Sequence, residues 1–224
     1  MPVSRSRSAR STSIWLERFP IRQKPPTVSE IAQAKYWWIG LTDSWKQAFN
    51  ELMLRRTTLE MPDDLSLHGM FTAQTLRFTG PKAPYPSTSV ELEDLTGIAG
   101  LKHITILIVA FHRIKHLREL SESRQLSSLF VNNNQISTLE GIEHLENLRE
   151  LYFNVNLVES LVPLTTLSGL HTIYCNYNRI PNLDGITAGH RGNLRNFVCL
   201  PNDLLSDTEI IRMEREIGIR CKKG

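Results

Sequence analysis

The 224-residue sequence is short of the features that most function classes require. It has no run of eighteen apolar residues, so no transmembrane helix is expected, and its most apolar stretch, Ile104 to Phe111, is only strand-sized. No apolar segment near the N-terminus has the form of a secretory signal, which points to a cytoplasmic protein. Cysteine is scarce. Cys175, Cys199 and Cys221 are the three present, and none belongs to a C-x-x-C pair, which excludes a metal knuckle or a redox motif of that form. Reduced thiols in a reducing compartment are the simplest reading. There is no G-x-S-x-G, G-x-G-x-x-G or Walker sequence. His112 and His116 have the i, i+4 spacing of a zinc-protease pair, but Arg113 stands where its glutamate would be. Asp63 and Asp64 read as helix N-terminal charge, not as a catalytic pair. No catalytic residue, metal site or cofactor is therefore expected.

Charge of one sign is scarce outside the N-terminus. Residues 1–24 carry six cations against Glu17 alone, so the remaining 200 residues come to −2 of the chain's net +3. A near-neutral body is poorly suited to lie along phosphate backbones, so nucleic acid is not the expected partner. Residues 1–26 form an Arg/Ser-rich basic tail. Disorder is the plain reading of that composition, and a transit-type address is the competing one.

What is present is a period of 22. Leu126, Leu129, Val131, Asn134 and Ile136 recur as Leu148, Leu151, Phe153, Asn156 and Val158, then as Leu170, Ile173, Cys175, Asn178 and Ile180. A fourth copy has Leu194, Phe197, Cys199, Asn202 and Leu204. Counting backwards, Ile104, Leu107, Val109 and Ile114 are in phase, and a worn copy keeps Leu76 and Phe78. The second half of each unit is in phase too. Leu95-x-Gly97-Ile98 matches Leu139-x-Gly141-Ile142 and Leu183-x-Gly185-Ile186. A period-2 apolar pair such as Leu129 and Val131 makes a short strand with one buried face. A chain that returns every 22 residues can stack such strands in parallel and share one continuous core. About nine residues make each return, too few for a full α-helix, so 3₁₀ or irregular turns are expected on the convex side.

This pattern, L-x-x-L-x-L-x-x-N-x-L over residues 73–205, resembles that of leucine-rich-repeat proteins. The unit length and the L-x-G-I-x-x-L return are similar to those of the internalins and of the nuclear protein-phosphatase regulatory subunit. The whole chain also resembles uncharacterised bacterial cytoplasmic leucine-rich-repeat proteins with a helical N-terminal cap. The resemblance implies an α/β solenoid: a right-handed superhelix with a parallel, concave β-sheet and a capped end on each side. It also implies a scaffold that binds a protein and is not an enzyme. Two interruptions stand out. Residues 79–92, rich in Pro and Gly, lengthen the first unit by nine residues and read as a surface loop with a possible role in function, and Gly189 to Gly192 adds two more.

The stack needs caps. Residues 27–72 are expected to supply a helical one, with Thr27-x-x-Glu30 as a capping box, Thr42 opening a second helix and Pro62 beginning a short third. Trp37 and Trp38 project in different directions from one helix, so one of them is expected to be partly exposed. Residues 206–224 are expected to form a C-terminal capping helix, begun by Ser206-x-x-Glu209 and stopped by Gly218.

Residues between the buried positions of each strand should face the concave side. Those expected to bind a partner are Phe111, Phe130, Asn132, Tyr152, Asn154, Tyr174, Asn176 and Tyr177. Strands about 4.8 Å apart would bring Phe130, Tyr152 and Tyr174 into one aromatic ladder. Outward aromatics beside amides suit a protein-binding patch, although cross-strand stacking alone would also account for them. Asn134, Asn156, Asn178 and Asn202 fall where each strand ends and read as structural, satisfying backbone groups along the stack. His112 takes the asparagine place in its unit, which suggests a weaker ladder there. The expected protein is a monomer, off the membrane, with one protein partner. The alternative is a nucleic-acid-associated protein that uses the basic tail and stacks its aromatics on bases.

Overall fold

A computed structural model describes residues 25–224. The basic tail expected over residues 1–26 lies outside the described residues, apart from Pro25 and Pro26. Three helices come first: α1 (Val28–Gly40), α2 (Asp43–Leu54) and α3 (Asp64–Phe71). Seven strands follow: β1 (Thr75–Thr79), β2 (Ile106–Ala110), β3 (Ser128–Phe130), β4 (Glu150–Tyr152), β5 (Thr172–Tyr174), β6 (Asn196–Leu200) and β7 (Lys222–Lys223). A fourth helix, α4 (Asp207–Arg212), lies between β6 and β7 and runs into one π-helical turn, Met213–Ile217.

All strands are parallel, and each pairs with its neighbours in sequence, in the order β1 to β7. The register places Leu76, Leu107, Leu129, Leu151, Ile173 and Phe197 in one fully buried column. Leu95, Leu117, Leu139, Leu161 and Leu183 form a second buried column from the returning halves of the units. Each such side chain contributes about 1.5–3 kcal/mol through removal from water. No unit can bury its own leucines, so the stack of units is what makes the core. This is an α/β solenoid built from the 22-residue repeat.

Four returns carry a single 3₁₀ turn, at Thr96–Ile98, Arg118–Leu120, Val162–Leu164 and Ala188–His190, and the return from β3 to β4 is irregular. Close stacking of the returns has a steric requirement. At Gly185, where φ is +107°, a Cβ would fall 2.0 Å from the Leu161 carbonyl oxygen of the preceding return. Gly97 has a different constraint, since a Cβ there would fall 2.1 Å from the Trp45 ring.

The three N-terminal helices cover the first strand. Thr27 and Glu30 form the reciprocal capping box of α1, Thr42 caps α2, and the Asp63 carboxylate accepts from the Leu65 and Ser66 amides to start α3. Helix α3 thus begins one residue after Asp63 and not at Pro62. Trp45 and Phe49 meet Phe78 of β1 edge to face, with ring centroids 5.2 Å and 5.1 Å apart. Trp38 is buried. Trp37 is half-buried and donates its indole N–H to the Gly97 carbonyl at 3.2 Å.

The 79–92 insertion folds back along β1. The Ser87 and Thr88 amides donate to the Thr79 carbonyl, and the Ser87 hydroxyl bonds to both the Thr79 amide and the Arg77 carbonyl. Edge groups of β1 that would otherwise be open to another strand are thereby used. Glu51 of α2 holds the same loop, accepting from the Ser89 amide at 2.6 Å and the Ser89 hydroxyl at 2.5 Å. Burial pushes the Glu51 carboxyl up, but the bonds from Ser89, Gln47 and Thr57 outweigh it and hold the group below its ordinary value.

At the other end Ser206 caps α4, Met213 and Ile219 are buried, and Gly218 at φ 76° ends the helical segment. The chain then returns to the sheet as β7, a strand that no sequence signal announced. Two lysines with no apolar alternation carry no strand pattern, and the pairing with β6 creates the strand.

Candidate functional site

The outward face of the sheet carries the candidate site. Register places Arg77, Ile108, Phe130, Tyr152, Tyr174 and Val198 in one row across β1 to β6. Ring centroids of Phe130 and Tyr152 are 4.6 Å apart with planes inclined by 20°, and Tyr152 and Tyr174 are 4.6 Å apart at 12°. That spacing is the strand separation itself, so the backbone positions the rings. All three rings are half-buried. Their faces are turned to one another, so the row presents ring edges and two phenolic hydroxyls to an incoming molecule. Burial, the Glu150 charge and Tyr174 together push the Tyr152 hydroxyl above its ordinary pKa, which keeps it protonated and able to donate. Glu150 in the neighbouring row accepts from the Ser128 hydroxyl at 2.8 Å.

Asn132 and Asn154 are half-buried on the other side of the aromatic row, and Asn176 is buried. The Asn176 side-chain carbonyl has no hydrogen-bond partner. Gly224 lies beside it: a Cβ at Gly224 would fall 2.7 Å from Asn176 Nδ2 and 2.9 Å from Val198 Cγ1. Gly224 thus covers the β5–β6 end of this face.

Phe111 and Tyr177 are placed differently from the rest. With Asn133 and Val155 they occupy the left-handed region, at φ 61°, 56°, 55° and 57° respectively, once per unit and 22 residues apart. The chain turns there from strand into return. Phe111 is half-buried and Tyr177 is exposed, beyond the strand ends and not within the row. No sequence signal for this turn stood out, because Phe, Val and Tyr are not residues that favour positive φ.

Asn134, Asn156, Asn178 and Asn202 follow that turn and do one repeated task. The Asn156 side chain accepts from the Ile136 amide at 2.9 Å and donates to the carbonyls of Val131 and Phe153 at 3.0 Å and 2.9 Å. Asn134 and Asn178 make the same three types of bond one unit before and after. Asn202 donates to Cys175 and Cys199 and accepts from the Asn178 amide. His112 fills the place in its own unit. Its Nδ1 accepts from the Leu92 amide at 3.1 Å, as an asparagine oxygen does in the other units. Burial pulls the ring's pKa down to about 4, against the opposing pull of the Phe78 carbonyl and the Glu91 charge. The imidazole thus replaces only the accepting half of the amide, and its buried Nε2 has no hydrogen-bond partner, so the ladder is weaker at this unit, as expected.

The two histidines with protease-like spacing are engaged separately. His112 is committed to Leu92, and His116 Nδ1 lies 3.3 Å from Glu119. Among the described residues no group of three or more His, Cys, Asp or Glu side chains could hold a metal ion, and no helix is long and apolar enough to cross a membrane. A shallow cleft of about 410 Å³ separates α2 from the 79–92 loop, and its only acid, Glu51, is engaged by Gln47 and Ser89.

Comparison of the sequence with protein-family models finds no match, and comparison with curated proteins finds none. Among solved structures the chain is similar to internalin C2 (inlC2) from Listeria monocytogenes, at 17% identity. The match covers 73% of this chain and 85% of that one, with a TM-score of 0.37.

Proposed function

We propose that the protein is a non-catalytic interaction module that binds a protein partner on the concave face of its sheet. The observation that carries this reading is the half-buried stack of Phe130, Tyr152 and Tyr174, extended by the half-buried Ile108 on the outer face. The buried face of the sheet already supplies the core, so the fold does not need this second apolar row. Rings pre-stacked at 4.6 Å lose little freedom on binding; their hydroxyls can donate to a partner's carbonyls and their edges can pack against its apolar side chains. Asn132 and Asn154 flank the row and provide amide donors and acceptors, with Asn176 at its covered end. Phe111 and Tyr177 extend the proposed contact beyond the strand ends. The residue divisions 27–72, 73–205 and 206–224 serve on this reading as cap, binding stack and cap, in a monomer acting in the cytoplasm.

The nucleic-acid alternative is less well supported. Bases stack on open ring faces, and here each inner face is occupied by the next ring. Its other element, the Arg/Ser tail, lies outside the described residues.

Photo-crosslinking tests the reading. A photoreactive residue at position 130 or 174 is compared with one at the exposed return position Val162, in native lysate. A protein captured only from the concave positions, and lost when the other two ring positions are changed to Ala in protein that still unfolds cooperatively, supports it. Equal capture from Val162 overturns it.

A further inference from the structure

Helix α1 carries an apolar stripe that faces away from the core. Successive residues of an α-helix lie about 100° apart, which places Val28, Ala32, Tyr36 and Ile39 within about 80° of one another around its axis. The opposite face holds the buried Ala34 and Trp38. The stripe is open: Val28 is 87% exposed, Tyr36 83% and Ile39 67%, with Ala32 exposed between them. Lys35 borders it and pairs with Asp64 of α3 at 2.6 Å, and the next residue of α3, Leu65, is 57% exposed. Single exposed apolar residues are ordinary, but a line of them along one helix is not. A surface helix sets polar residues opposite its buried face, and one that is apolar on both faces is suited to being covered on both.

We propose that Ile14 to Ile21 of this same chain pack on the stripe as a further element of the N-terminal cap. They lie outside the described residues, which begin at Pro25, and three observations select them. The first is composition. Ile14, Trp15, Leu16, Phe19 and Ile21 put five large apolar side chains into eight positions of an otherwise Arg/Ser-rich segment. The second is reach. Five residues separate Ile21 from Thr27, the N-cap of α1. Five extended residues span at most about 17 Å. The stripe from Val28 to Ile39 is about 16 Å long, so the segment can lie anywhere along it. The third is charge. Residues 25–72 carry four cations against six acids, and residues 73–224 carry sixteen of each. The negative excess of the described chain therefore sits in the cap, next to the cationic segment.

A second copy of the chain is the poorer occupant. A stripe one helix wide and about 16 Å long offers well under the roughly 800 Å² per partner of a stable interface. A segment tethered five residues away acts at an effective concentration on the order of millimolar and needs far less area. The stripe is on the cap and not on the sheet, so this inference stands apart from the concave-face reading.

The experiment places a photoreactive residue at position 36 of the full chain, in an equal mixture of isotopically light and heavy protein, and maps the linked peptides. The expected product is a link from position 36 to residues 14–21 within one chain, lost when Trp15 and Phe19 are changed to Ser. Links that join light to heavy chains overturn the proposal in favour of a second copy. Links only to other segments, or no link within the protein, leave the stripe to a different occupant and overturn it as well. Trypsin gives a readout with no probe on the stripe. Cleavage after Arg18 and Arg22 should be about tenfold faster in Tyr36→Ser/Ile39→Ser than in the native chain, because proteolysis follows the population of the undocked segment. Both substitutions are at exposed positions, and cooperative unfolding of the variant confirms that the cap is intact. Equal cleavage rates in the two proteins overturn the proposal.

Discussion

Val155 holds a β-branched side chain at φ 57°, where the equivalent residue one unit earlier is Asn133 at φ 55°. Asparagine tolerates this region and valine does not, so the chain carries local strain that the neighbouring bonds sustain. The Val155 amide donates to the Asn176 carbonyl, and Val155 is exposed, so little packing offsets the strain. Val155→Asn should therefore stabilise the protein by about 1 kcal/mol, read as a higher urea midpoint at unchanged slope. His112 yields a second residue-scale expectation. The folded ring binds a proton only near pH 4, whereas the unfolded chain takes one up near 6.5. Between those values the unfolded state holds more protons, so stability falls as pH drops from about 6.5 towards 4. The loss amounts to roughly 3 kcal/mol. His190, whose value is also lowered by burial, adds to the same trend. His112→Asn should remove the larger part of this dependence, which urea midpoints across that pH range would show.

Among the elements, the asparagine ladder links one unit to the next. It was legible in the sequence because the same amide recurs at one phase, and a side chain with both an acceptor and donors can serve the backbone at every unit. Asn156→Ala would orphan the Ile136 amide and leave two carbonyls short of a donor, all of them buried in the stack. Roughly 3 kcal/mol of destabilisation is expected in chemical unfolding, well above the few tenths typical of an exposed substitution. The 79–92 loop was legible only as an insertion. Its pairing with the edge of β1 depends on where the returning chain meets Thr79, and proline and glycine content alone does not specify that.

For the whole molecule, the stack is stable only if both ends are covered. The N-terminal cover is aromatic, with Trp45 and Phe49 against Phe78, and the C-terminal cover is thinner, with Met213, Ile219 and Cys221 over the last unit. Removing residues 206–224 should expose the Phe197–Cys199 end of the core. The truncated chain should lose its single cooperative thermal transition and elute as aggregate in size-exclusion chromatography. A truncated chain that stays monomeric and melts cooperatively would mean that the last repeat covers itself.

The period of 22 was enough to specify the stack, its inward leucine columns and the alignment of Phe130, Tyr152 and Tyr174, since side-chain alternation along a strand and a constant return length leave no freedom in which residues share a row. The caps were visible because Ser, Thr and Asp mark helix starts by satisfying free amides. Other features depended on three-dimensional placement: the left-handed turn at Phe111 and Tyr177, the imidazole accepting in place of an amide at His112, the loop along β1 and the strand at Lys222–Lys223. Each arises from contact between segments distant in the chain, where burial and a waiting donor or acceptor override what the local residues would choose.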